Sequence, residues 1–246
     1  MKKIVLIVML GVLVLSFAGI IDQIKERGYI IYGTEATFPP FEYYNNSNEI
    51  VGFDVDIAKD IAKALGVKLR IVDMSFDGLI PALTSKKIDF IVAAMTITPE
   101  REKTVDFSVP YYTAGQAIVV KGNKFNFKDV NELIGHTVAV QQGTTGDLMV
   151  SKVKGITVKR FQRFTDAFLE LMNGRVDAVV LDYAPAKAYV GMYHQLRIVA
   201  GPLSKENYGI AVRKSDTELL DFINKTIAQM KMSPYDILVQ KWFGDK

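Results

Sequence analysis

The segment Phe76–Val92 reappears 88 residues later, without a gap, as Phe164–Val180. Phe76 falls on Phe164, Leu83 on Leu171, Lys87 on Arg175, Asp89 on Asp177 and Val92 on Val180. Both copies read as a helix, a turn, an Asp and a buried strand, so the chain is constrained to two similar α/β lobes, each with its own sheet. Following the repeated strands to their C-terminal ends reaches Ala94-Met95-Thr96 in one copy and Asp182-Tyr183 in the other. Ligands of open α/β sheets bind at the carboxyl ends of strands, so two lobes facing each other there form a cleft lined by both segments.

Local signals agree with this layout. After an Asp22–Arg27 helix and Gly28, Tyr29–Gly33 reads as a strand. A hairpin is expected between Phe41–Tyr44 and Ile50–Gly52, across the turn cluster Asn45-Asn46-Ser47-Asn48. Asp54 stands where a helix N-cap belongs, with Ile57, Ala58, Ile61, Ala62 and Leu65 at helical spacing and Gly66 as the stop. Val67–Val72 is the next strand, Phe76–Thr84 a helix and Phe90–Ala93 a strand. The alternation predicts an open, largely parallel sheet with helices on both faces.

The first residues address the chain to a compartment. Lys2 and Lys3 precede an uncharged apolar run from Ile4 to Phe17, and Ser16-x-Ala18 supplies small residues at a cleavage position. This is the layout of a secretory signal peptide. The run is short of the about 18–20 apolar residues usual for a membrane anchor. Cleavage is expected near Ala18. The chain has no Cys, which removes disulfides, thiolate metal sites, Cys nucleophiles and the Cys of a bacterial lipoprotein signal. An exported, freely diffusing periplasmic protein is expected, with no stable membrane insertion after cleavage. A net charge of +3 is too small to argue for nucleic acid, and it nearly vanishes once the two leader lysines are gone.

Several chemistries have no support. There is no Gly-x-Gly-x-x-Gly or P-loop motif for a nucleotide, no Gly-x-Ser-x-Gly elbow and no His-Glu-x-x-His pair. His136 and His194 read as surface or turn residues, and Asp54 and Asp56 as a cap and a dipole-favoured acid at a helix start. No catalytic residue, metal site or cofactor is expected, and the chain is not read as an enzyme.

What remains suits a small zwitterion. In Thr96-Ile-Thr-Pro-Glu-Arg101, Pro99 and Glu100 fit a first helical turn, and the fork of Arg101 matches a carboxylate, although a surface arginine beside Glu100 and Glu102 is the plainer alternative. Gln141-Gln-Gly-Thr144-Thr145-Gly-Asp147 is a strand-to-helix turn offering backbone N–H and hydroxyl donors. Asp182 ends an apolar run, where it serves either an ammonium or the N-cap of the next helix. Phe38 and Phe76 flank strand ends as candidate aromatic walls, and Glu35 adds a negative group at the same edge.

Gly33-Thr-Glu-Ala-Thr-Phe-Pro-Pro-Phe41, Val51-Gly-Phe-Asp-Val-Asp56, Phe76-Asp-Gly-Leu-Ile-Pro-Ala-Leu83, Met95-Thr-Ile-Thr-Pro-Glu-Arg-Glu-Lys103, Asp106-Phe-Ser-Val-Pro-Tyr-Tyr112, Gly143-Thr-Thr-Gly146, Tyr208-Gly209-Ile210 and Lys241-Trp-Phe-Gly244 together carry a resemblance. From about Gly28 to Gly244 the chain resembles the polar and basic amino-acid-binding proteins of bacterial ABC importers, solute-binding protein family 3, and is closest in pattern to arginine-binding proteins. The resemblance implies a two-lobed periplasmic-binding-protein fold of type II, each lobe an open, mostly parallel sheet flanked by helices, joined by two crossing hinge strands. The implied boundaries are a signal peptide over 1–20, a first lobe over 21–110 with its return over 211–246, a second lobe over 116–205, and hinge strands at 111–115 and 206–210.

It also implies the site. Arg101 and backbone N–H groups around Thr96 and Thr145 hold the α-carboxylate, Asp182 and a carbonyl near Ala94 hold the α-ammonium, and Thr144 and Met95 are further ligand-binding candidates. Phe38 and Phe76 sandwich the side chain, and Glu35 and Gln141 read its far end. Neutral Gln141 stands where glutamine-binding relatives carry Lys, and with anionic Glu35 and two phenyl faces it suits a guanidinium. L-Arginine is therefore the favoured ligand, then other basic amino acids, then glutamine. A dehydratase-like exported enzyme on the same fold and a sensory module are the rival readings. The expected partner is a membrane permease, served by a monomer through hinge closure.

Overall fold

A computed structural model describes residues 19–232 and 235–244; the expected leader and its cleavage point at Ala18 lie outside the described residues. Short apolar runs alternate along the sequence with amphipathic stretches, and the backbone follows as strands and helices. Tyr29–Thr34 pairs in parallel with Lys68–Asp73 on one side and with Phe90–Ile91 on the other. Ala211–Arg213 then adds antiparallel to Phe90–Ile91, and Val105–Phe107 closes the five-stranded sheet. The second sheet repeats the plan: Thr137–Gln141 lies parallel to Thr157–Phe161 and Ala178–Asp182, and Gln116–Lys121 runs antiparallel between Ala178–Asp182 and Leu196–Ala200.

The alternation along each strand decides which face a side chain serves. Phe90 and Val92 join one apolar cluster and Ile91 and Ala93 another, so both faces of the first sheet are covered. Val179 and Val180 divide in the same way in the second lobe. The helix Phe53–Leu65 ends at Gly66 in the left-handed conformation, its N–H returned to Ala62 and Lys63 carbonyls, as the Gly stop predicts. The hairpin pairs Tyr43 with Val51 and Tyr44 with Ile50. Phe76–Thr84 differs from the single helix expected: Phe76–Gly78 is a 3₁₀ turn and only Leu79–Thr84 is α-helical. The physical reason is Pro81, which lacks the N–H that would extend the α-ladder back to residue 77.

Between the sheets the chain passes twice. Tyr112–Ala114 leads out and Glu206–Tyr208 leads back, paired antiparallel with Tyr112 opposite Tyr208. Their rings stack at 5.6 Å, and Phe41 and Phe243 pack edge-on or flat against Tyr112 at 4.9 and 5.1 Å. The helix Tyr235–Phe243 is tied down by Asp56, which accepts from Trp242 Nε1 at 2.9 Å and Lys241 Nζ at 2.6 Å. Among the described residues no helix is long and apolar enough to cross a membrane.

Candidate ligand site between the lobes

The carboxyl ends of the two sheets face each other across a narrow cavity, closed down to about 10 Å³ of free space. Glu35, Phe38, Phe76, Ala94, Thr96 and Arg101 line it from the first lobe, and Gln141, Thr144, Thr145 and Asp182 from the second. Met95 does not line it: its side chain is packed with Leu79, Leu83 and Ile91 in the apolar layer beneath, and its carbonyl accepts from Gly209 N–H at 3.1 Å. The chain turns at Ala94, which sits at φ 44°, and Ala94 and Thr96 reach the cavity while Met95 does not.

Each polar group is placed by local chemistry. Thr98 caps the short Pro99–Glu102 helix by accepting from Arg101 N–H at 3.2 Å, with Pro99 at the first position. That fixes the root of Arg101, whose Nη1 donates to Thr96 O at 2.6 Å and whose Nη2 donates to Gly143 O at 3.0 Å, across the lobes. The guanidinium lies 5.1 Å over the Phe76 ring, a cation–π geometry. Burial lowers its pKa to about 10, while Glu206 and Asp182 pull the other way, so it stays a cation at neutral pH. In the second lobe Thr144 caps the Thr145–Ser151 helix by accepting from Asp147 N–H at 3.2 Å, and its hydroxyl donates to Gln141 O at 2.8 Å.

Asp182 occupies the N-cap position of Tyr183–Met192 but makes no side-chain capping bond. It is 6 % exposed, its Oδ1 has no hydrogen-bond partner among the described residues, and the group lines the cavity. Burial, reinforced by the nearby Glu206, pushes its pKa up to about 7, against the favourable neighbours Tyr208 and Gln116. Glu35 is 1 % exposed; burial raises its pKa to about 6, opposed by Gln141, Thr37 and Arg163. Phe38 stacks on Phe164 at 5.3 Å, so one aromatic wall is braced by the opposite lobe.

Asp54 overturns the capping expectation. Gly52 is the N-cap of that helix, at φ 145°, and a Cβ there would run into the Phe41 carbonyl. The first helical N–H groups already donate to Pro40 O and Phe41 O at 3.0 Å each, so no side-chain cap is needed. Asp54, fully buried, turns inward instead: its Oδ2 accepts from Ala94 N–H and from the Tyr111 hydroxyl, both at 2.7 Å. Ala94 itself sits at φ 44°, in the left-handed region, a strained choice for a non-glycine residue that surrounding bonds must hold. Glu42, 1 % exposed, lies against Asp54; burial first, then the Asp54 carboxyl, hold its pKa well above the carboxylate range.

Sequence reasoning missed four groups. Glu42 and Ala93 also line the cavity. Arg163 reaches Glu35 and Asp73 from the second lobe, at 2.9 Å to each. Glu206, at the start of the return strand, gathers hydroxyls from both lobes on one oxygen: Thr96 at 2.8 Å and Thr145 at 2.6 Å. The one available signal was an unpaired charge beside a repeated segment, since Arg163 directly precedes Phe164; Glu206 carries no such mark.

Comparison with known proteins adds an independent line. The family model of the bacterial extracellular solute-binding proteins, family 3, matches residues 30–245. The L-cystine-binding protein TcyJ of Escherichia coli (strain K12) is 36 % identical over 240 residues, 95 % of this chain and 90 % of that one. The arginine-bound form of a truncated ArgBP from T. maritima superposes with a TM-score of 0.84 at 59 % identity, covering 85 % of this chain and 99 % of that one. An ancestral arginine-binding protein bound to glutamine gives 0.86 at 52 % identity, over 89 % and 99 % of the two chains.

Proposed function

The chain belongs to the bacterial extracellular solute-binding proteins of family 3, and from that membership we propose that it captures a free L-amino acid, arginine foremost, and delivers it to the permease of an ABC importer. One observation carries the reading: the cavity opposes the Arg101 cation of one lobe to the buried Asp182 acid of the other, with the buried Glu35 as a further acid in its lining. A zwitterion with a third, basic group matches that order of charges.

The α-carboxylate lies on the Arg101 fork and the backbone N–H groups near Thr96 and Thr145, because the hydroxyls of both threonines already donate to Glu206. The α-ammonium pairs with Asp182 beside Ala94. The side chain passes between Phe38 and Phe76 toward Glu35 and Gln141. Arg101, Asp182, Glu35 and Gln141 are thereby used in holding the ligand, so capture without a chemical step is proposed ahead of the dehydratase-like alternative. The lobes, 21–110 with 211–246 and 116–205, rotate together about the paired segments 111–115 and 206–210. Cleavage of the leader near Ala18 frees a periplasmic monomer.

Glutamine is the second reading, and Arg163 is what favours it. Glu35 already accepts from Arg163 at 2.9 Å and from Gln141 at 2.8 Å, which leaves less charge for a cationic side chain. Calorimetric titration of the mature, ligand-stripped protein with arginine, lysine, histidine, glutamine and cystine separates the readings. Arginine is expected to bind tightest; glutamine ahead of arginine selects the second reading, and no binding of any amino acid rejects both.

A further inference from the structure

Arg163 does not line the cavity but pairs with Glu35, which does. It stands directly before the Phe164–Met172 helix, where the internal repeat places Ser75 in the first lobe. Its two Nη atoms donate to the two Asp73 oxygens at 2.9 Å each, and Nη1 also donates to Glu35 Oε1 at 2.9 Å. Asp73 is prepared for this fork by Ala36 N–H at 3.0 Å and the Tyr44 hydroxyl at 3.1 Å. The same turn is gripped twice more from the second lobe. Phe164 N–H donates to Thr37 Oγ1 at 3.2 Å, and the Tyr189 hydroxyl donates to Thr37 O at 2.9 Å. The bonds made by Arg163, Phe164 and Tyr189 cross between the lobes, so they exist only when the lobes are together.

We propose that Arg163 is a specificity-determining residue: by pairing with Asp73 and Glu35 it closes the Glu35 end and offsets the acid that would otherwise select a cationic side chain. The inference rests on the reading of Glu35 as the group that meets the ligand's far end. Two carboxylates and one guanidinium leave that region with one net negative charge. Removing the guanidinium leaves two, which attract a guanidinium or ammonium ligand more strongly and a neutral amide no more than before. The lost interlobe bonds weaken every ligand alike, because closure serves them all. The ratio of arginine to glutamine affinity therefore isolates the charge effect from the closure effect.

In Arg163→Met both affinities are expected to fall while the arginine-to-glutamine ratio rises about tenfold. Arg163→Lys keeps the charge and loses the fork, so both affinities fall and the ratio stays within about twofold of the parent. With Glu35→Gln in the background, the Arg163→Met effect on the ratio shrinks to less than about threefold. Arg163→Gln stands in if the Met variant does not fold by circular dichroism. An unchanged or lowered ratio in the neutral variants overturns the proposal, as does an equal rise in Arg163→Lys. Failure of the parent protein to bind either amino acid refutes the amino-acid reading itself, which is a different result from a parent that binds both with a ratio Arg163 does not move.

Discussion

The two lobes share a plan and divide the chemistry. Lys86 in the first and Gly174 in the second are repeat equivalents, and both turn left-handed, at φ 62° and 71°. Asp89 and Asp177 are equivalents too, and each accepts from the backbone N–H of the neighbouring strand, Ile31 at 2.7 Å and Thr137 at 2.9 Å. One step past the repeated strands the likeness stops. Ala94 meets the cavity as a strained main-chain turn and Asp182 as a buried carboxyl. The scaffold decides where a ligand can be met; the residue at that place decides with what. On the proposed reading neither lobe holds a zwitterion alone, since Arg101 stands in one and Asp182 in the other.

Removing either grip is the largest perturbation available. Arg101→Ala and Asp182→Ala are each expected to weaken arginine binding by about a hundredfold or more, measured by calorimetry, because each leaves the opposite charge of a buried ligand unmatched. A variant of either retaining full affinity would show that one lobe suffices.

The matched aspartates test the comparison through stability. Asp89 is only 4 % exposed and pairs with Arg27 and, at 3.7 Å, with Arg213, whereas Asp177 is 29 % exposed beside His136. Asp89→Asn should cost about 2–3 kcal/mol in urea unfolding, and Asp177→Asn less than about 1 kcal/mol. Equal costs would mean that the backbone bond they share, and not the burial that separates them, sets their worth.

Acid separates the two grips. Arg101, with a pKa of about 10, keeps its charge from pH 8 to 5, while Asp182, raised to about 7, loses its own. A zwitterion must then displace a proton from the second lobe, so affinity should drop about tenfold from pH 8 to 6, with proton release on binding visible in buffers of different ionisation enthalpy. Stability of the ligand-free protein moves the other way. Asp182, Glu35 and Asp54 have folded pKa values raised by burial, so their contribution is full below the ordinary carboxylate range and is lost as pH rises through about 6 to 7. Binding that is flat across this range would place the ammonium elsewhere.

The smallest effect lies at the turns. Lys86→Gly should stabilise the first lobe by about 0.5–1 kcal/mol by relieving a left-handed side chain, and Gly174→Lys should cost the second lobe a similar amount, both read as shifts in thermal midpoint.

Much of this was legible because it is periodic. The repeat placed two strand ends opposite each other, and ten of the eleven residues proposed for the site line one cavity. Met95 was carried along by its neighbours, since a list of consecutive residues cannot show that its side chain packs into the apolar layer beneath. Asp54 was misread because an acid at a helix start looks the same whether it caps its own helix or reaches a residue forty positions on. Arg163 and Glu206 act across the gap between lobes, and no spacing along the chain records a contact of that kind.

Asp54 also bears on any attempt to recast the pocket for another ligand. The shape of the wall at Ala94 is set from below, by an acid that does not itself line the cavity. Libraries confined to the wall would vary the furnishings of a room whose floor is held elsewhere. A glycine at 94 would release the main chain from its constrained turn, and losing Asp54 would strand Tyr111 and the Ala94 N–H together. Glu42, Asp54, Ala94 and Tyr111 are therefore best transplanted between relatives as a single unit.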